Sequence, residues 1–153
     1  MNASRIALCF SLASVLLLAV SLPVSAAHEP GHKFADGISV FLGVVPAEVI
    51  AQRDGTEAAM HGGANGADRY HVMVALFAGG KRISDAQVTA TVGEIGMAMQ
   101  SEPLQPMQAG GVITYGNYFV LPRPGLYRIQ IEIRLPGASR SVRTSFDYEL
   151  ERE

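Results

Sequence analysis

Every second residue is apolar in Tyr127, Ile129, Ile131, Ile133 and Leu135, with Arg128, Gln130, Glu132 and Arg134 in the alternate places. The pattern repeats in Val142, Thr144, Phe146, Tyr148 and Leu150, set against Ser141, Arg143, Ser145, Asp147 and Glu149. A period of two belongs to extended strands, whose side chains point alternately to opposite faces, so each stretch buries one face and wets the other. Pro136-Gly137 lies between them and supplies the turn chemistry of a hairpin. A chain built around such a pair needs further strands to cover the apolar face.

Shorter stretches of the same kind occur upstream. Strands are predicted at 38–45, 70–77, 86–92, 97–100 and 112–120, with Gly79-Gly80 as a turn; no helix of more than two turns is expected, and Pro46 to Gln52 can form a short one. About seven strands at intervals near ten residues predict an all-β fold, an antiparallel immunoglobulin-like β-sandwich. Tyr127 follows Gly125 by two residues at the start of the strongest strand, the arrangement of a tyrosine corner, in which the phenol bonds to upstream backbone. A tyrosine that only packs in the core is the alternative.

The N-terminus reads differently. Arg5 precedes an apolar run from Ile6 to Val20, and Ser21 to Ala27 is a small-residue segment containing Pro23. This is the layout of a secretory signal peptide, since the run falls short of the roughly 20 residues a membrane span needs. Cleavage fits after Ala26 or after Ala27, so the expected organisation is a signal peptide over 1–27 and one sandwich domain over 28–153. The single cysteine, Cys9, lies inside the signal, after a leucine that does not suit a lipoprotein cleavage box. The mature protein is therefore expected to be periplasmic, cysteine-free, and without membrane insertion after cleavage.

Composition narrows the function classes. Twelve Lys and Arg against fourteen Asp and Glu give a net charge of −2, which offers no electrostatic case for nucleic acid. Without a mature cysteine there is no thiol nucleophile, disulfide framework or zinc ribbon. No G-x-S-x-G elbow occurs, and the paired glycines lie outside any strand-to-helix phosphate loop. The carboxylates are scattered over wet faces and loops. No enzymatic activity is expected.

Histidine and methionine carry what chemistry remains. Imidazole nitrogen and thioether sulfur together suit copper, above all Cu(I), whereas calcium and magnesium require oxygen. His71 and Met73 stand two apart on one predicted strand and so share a face; Met97 and Met99 have the same spacing. Met60-His61 sits in a glycine-rich segment, 54–68, that breaks the strand pattern and could close over a site. Met107 follows Pro106 in what reads as a connection. The expected ligands are His71, Met73 and Met107, with His61 as the fourth. Core packing is the alternative reading of Met73, Met97 and Met99, a satisfied buried imidazole that of His71, and a solvated tail that of His28 and His32.

Leu104-Gln105-Pro106-Met107, Thr114-Tyr115-Gly116-Asn117, Gly125-Leu126-Tyr127-Arg128-Ile129 and Leu135-Pro136-Gly137 together resemble the C-terminal half of a known family. It comprises periplasmic immunoglobulin-like proteins that accompany high-affinity ferrous iron uptake and bind copper. In that family a Pro-Met is followed, seven residues after the methionine, by a histidine just before Tyr-Gly, and both are ligands. Met107 matches the methionine, but Thr114 stands at the histidine position. The run from His71 to Phe77, with Lys81 to Val88, is similar to small exported sandwich domains associated with cytochrome oxidase assembly and copper handling. These resemblances imply an accessory that handles copper, with iron second, for an inner-membrane transporter or envelope complex. A metal-free module docking on an envelope complex is the alternative. Oligomeric state is not encoded in any of these features.

Overall fold

In the computed structural model, residues 31–53, 68–109 and 111–151 are described. They form nine strands and one short helix. β1 (His32–Ala35), β2 (Ile38–Pro46), α1 (Ala47–Arg53), β3 (Arg69–Ala78), β4 (Lys81–Arg82) and β5 (Gln87–Glu94) come first. β6 (Gln100–Ala109), β7 (Val112–Val120), β8 (Gly125–Arg134) and β9 (Val142–Leu150) follow. All pairings are antiparallel, in the order β1-β2-β3-β7-β6-β5-β8-β9, with β4 attached to β3. β8 lies beside β5 after the meander β5-β6-β7, which is a Greek key.

The two alternating stretches form the expected hairpin, with Ile133 opposite Val142 and Gly125 opposite Leu150. Ile129, Ile131, Ile133, Tyr127 and Phe146 face Val40, Val72, Val74, Leu76, Tyr115 and Phe119 from the other sheet in one core. Burying so many branched and aromatic side chains, at roughly 1.5–3 kcal/mol each, is the main force holding the two sheets together. The tyrosine corner is present: Tyr127 is buried, and its hydroxyl donates to the Arg123 carbonyl at 2.8 Å. Tyr115 makes a second tether, accepting from the Ala86 N–H at 3.0 Å and donating to the Ile83 carbonyl at 3.3 Å. Its burial pushes the phenol above its ordinary range, and burial does the same to Tyr148.

Three expectations change. β1 forms where the sequence suggested a tail: Asp36 and Gly37, at φ of 45° and 84°, make a tight reversal into β2, the left-handed geometry of a two-residue hairpin turn. His32, on β1, stacks on Phe41 at 4.4 Å; His28 lies outside the described residues. Of the strand expected at 97–100 only Gln100 is extended: a turn from Glu94, closed by Met97 N–H to the Glu94 carbonyl at 3.0 Å, leads into irregular residues 98–99, and Met97 is 57% exposed. The strand begins at Gln100 and carries Met107 within it.

β6 explains how two prolines enter a strand. Gln100 to Leu104 pair only with β5, and Gln105 to Ala109 only with β7, so the strand passes from one sheet to the other. Each half is a sheet edge, where a missing N–H is tolerated at Pro103 and Pro106. Side chains bridge the gap left behind. Asn117 Nδ2 donates to the Pro103 carbonyl at 2.8 Å, and the Gln100 amide donates to the Val120 carbonyl and accepts from its N–H, at 2.8 and 3.3 Å. On the far side Lys33 Nζ donates to the Ser145 carbonyl at 2.6 Å, drawing β1 toward β9. The sandwich is thereby nearly closed. No described helix is long and apolar enough to cross a membrane.

Candidate metal centre

Even-numbered positions of β3 face the core, and odd-numbered ones face outward. Arg69, Met73, Ala75 and Phe77 on the outer face are partly exposed, yet His71, among them, has no exposed surface. Its register explains part of this. β7 is flanked by β3 and the C-terminal half of β6, with Tyr118 opposite His71, Gly116 opposite both Met73 and Gln105, and Thr114 opposite Met107. Gly116 therefore stands midway between Tyr118 and Thr114 on the same face, and the side chains of His71 and Met107 reach it from either side.

They converge on it closely. A Cβ on Gly116 would stand 2.6 Å from His71 Nε2, 2.6 Å from Met107 Sδ and 2.9 Å from His71 Cε1. The ring nitrogen and the thioether sulfur are thus no more than twice 2.6 Å apart, above a residue with no side chain of its own. Met107 is 6% exposed. An isolated glycine inside a strand weakens it and marks a close approach of other groups, the role Gly116 has here.

Tyr118 backs the imidazole, with ring centroids 4.7 Å apart. The Arg69 guanidinium carbon lies 5.6 Å from the Tyr118 ring on the side away from Gly116 in the register. Thr114 Oγ1, on the outer face beside Met107, is buried and has no hydrogen-bond partner among the described residues.

The predicted ligands separate accordingly. His71 and Met107 come together. Met73 shares their face, but its sulfur lies 3.6 Å from where a Cβ on Gly43 would stand, across the other edge of β3. His61 and Met60 lie outside the described residues. Met99, although two residues from Met97, packs against Gly93 and is 38% exposed. Gly116, Tyr118 and Arg69 were not picked out by sequence reasoning as parts of the site; the glycine within an otherwise strand-like run was the available signal.

The donors fit a soft ion. One imidazole nitrogen and one thioether sulfur within bridging reach, and no carboxylate on this face of β2, β3, β7 and the second half of β6, suit Cu(I) and do not suit calcium or magnesium. No three His, Cys, Asp or Glu side chains cluster to hold a metal among the described residues. A thioether-containing set would carry the site instead. Elsewhere, a groove of about 280 Å³ on the outer face of β5, β8 and β9 is lined by Thr91, Gln130, Glu132 and Arg143. Thr91 is hydrogen-bonded to Ser101 and Glu132 is paired with Arg143 there.

At the level of sequence, no family model and no curated protein matches the chain. Solved structures do. A DUF4426 family protein from Pseudomonas aeruginosa superposes with a TM-score of 0.64 at 16% identity, covering 80% of this chain and 94% of that one. A copper-bound variant of FetP from uropathogenic Escherichia coli gives 0.62 at 18%, covering 78% and 94%. A copper-bound variant of Campylobacter jejuni P19 gives 0.62 at 12%, covering 78% and 93%. The likeness spans nearly the whole of each relative and shows a shared fold, that of an antiparallel β-sandwich.

Proposed function

We propose that this protein is an exported, non-catalytic copper-handling accessory, in which His71 and Met107 hold the ion over Gly116. The observation that carries the reading is the convergence of His71 Nε2 and Met107 Sδ on that glycine, in a buried position on an otherwise outward face. Two proteins of the same fold have been obtained with copper bound, and one was produced in the bacterial periplasm, which supports both the metal and the compartment. Met73 is the next donor along β3, since a methionine side chain has the torsional freedom to swing between neighbouring positions. His61 is the fourth. Copper is the first choice of ion and iron the second, and delivery is to an inner-membrane transporter or assembly system. The mature chain begins at Ala27 or His28, which intact mass of periplasmic protein reads directly.

The test is titration with Cu(I), Cu(II) and Zn(II) of wild type beside His71→Ala, Met107→Leu and Met99→Leu. Leucine keeps the apolar volume of methionine, so packing and ligation separate. Loss of Cu(I) binding in the first two variants, with Met99→Leu unchanged, supports the site. Wild type that binds no copper, or variants that all bind alike, replaces this reading with a metal-free interaction module.

A further inference from the structure

Arg69 is the charged residue that β2, β3, β7 and the second half of β6 place on the outer face around Gly116. The other outward positions there are Ser39, Phe41, Gly43 and Val45 on β2, Ala75 and Phe77 on β3, and neutral residues on β6 and β7. Arg82 of β4 is held at the far end, over the Phe77 ring at 4.6 Å with its guanidinium donating to the Ile113 carbonyl at 2.7 Å. Among the described residues Arg69 has no acidic partner and its buried Nε no hydrogen-bond partner, and its guanidinium lies by the Tyr118 ring. Tyr118 in turn lies against His71. The steps of 5.6 and 4.7 Å put the guanidinium carbon within about 10 Å of the imidazole.

We infer that Arg69 sets the charge preference of the site, so that it takes a monovalent soft ion and rejects a divalent one. This rests on the copper reading above. His71, Met107 and Met73 are neutral as ligands and Thr114 beside them is uncharged, so none brings a negative charge to offset the arginine. The fixed positive charge repels a divalent ion twice as strongly as a monovalent one. At a separation on the order of 10 Å and an effective dielectric of about 20, each unit of charge on the ion changes affinity by about tenfold. Donor softness already favours Cu(I). Arg69 adds a second criterion, which depends on charge alone.

The experiment measures Ag(I), as an air-stable monovalent soft probe, and Cu(II) on wild type, Arg69→Gln, Arg69→Met and Arg69→Lys. Arg69→Met keeps an apolar stem against Tyr118, and circular dichroism confirms that each variant is folded. The expected result is that the Cu(II)-to-Ag(I) affinity ratio rises about tenfold in Arg69→Gln and Arg69→Met and stays at the wild-type value in Arg69→Lys. A structural role alone would alter both ions by one factor. Variants that bind Ag(I) with an unchanged ratio overturn the role of Arg69 and leave the copper site standing. Wild type that binds neither ion overturns the copper reading and this inference with it.

Discussion

Met107 and Thr114 stand directly opposite one another across the β6–β7 ladder, on the face that also carries His71. Residues opposed in this way have Cβ atoms about 4.5–5.5 Å apart, close enough for their side chains to share one ion. An imidazole at position 114 would thus reach a metal held by Met107. In this chain the imidazole that approaches Met107 is that of His71 on β3, and position 114 carries a hydroxyl.

Thr114→His should accordingly add a second nitrogen donor beside Met107. The expected outcome is a gain in Cu(II) affinity with little gain in Cu(I) affinity, because the added donor is harder than a thioether. Paired titrations of the two oxidation states check it. An unchanged ratio would separate position 114 from the site.

Gly116→Ala should remove the cradle. The new methyl carbon would meet His71 Nε2 and Met107 Sδ at 2.6 Å, so both side chains must shift apart. Overpacking of this kind costs about 1–3 kcal/mol, and copper affinity should fall by at least tenfold while the circular dichroism spectrum keeps its β character. A variant that binds copper like wild type would show that the two donors do not act over this glycine.

Tyr127→Phe should destabilise the protein by about 1 kcal/mol, because it removes the hydroxyl bond to Arg123 and leaves the aromatic packing in place. Urea denaturation measures it. A change near zero would mean that the turn into β8 is held by packing alone.

Alkaline pH should weaken the fold through Tyr115. Burial, with a smaller contribution from Asp85, raises this phenol above 10.0, against the opposing hydrogen bond from Ala86. The folded chain therefore retains the proton more tightly than the unfolded one. The stabilisation is complete below the unfolded value and is lost as pH rises through the folded one. Tyr115→Phe should be less stable at neutral pH by roughly 0.5–1.5 kcal/mol, yet lose less stability than wild type above pH 10. Denaturation midpoints across that range decide it, and parallel curves would count against the assignment.

The period-two runs over β8 and β9 were enough, by themselves, to determine an antiparallel hairpin with one wet face, because alternation follows from backbone geometry whatever the rest of the chain does. The boundaries of β7 and the role of Tyr127 were legible for the same reason, being local. β1 was also written locally, in Asp36-Gly37, but its residues alternate too little to announce a strand. β6 was illegible because its two prolines exclude an ordinary central strand, and only a change of sheet halfway along makes them tolerable. The site shows the same division. Sequence could place His71 and Met73 on one face, since they lie on one strand. It could name Met107 beside His71 as a candidate but gave no geometric reason for them to meet, 36 residues apart, because that meeting depends on β7 running between β3 and β6 and on Gly116 falling where both side chains cross. Register between distant strands is set by how whole apolar faces pack, and only the tertiary structure decided it.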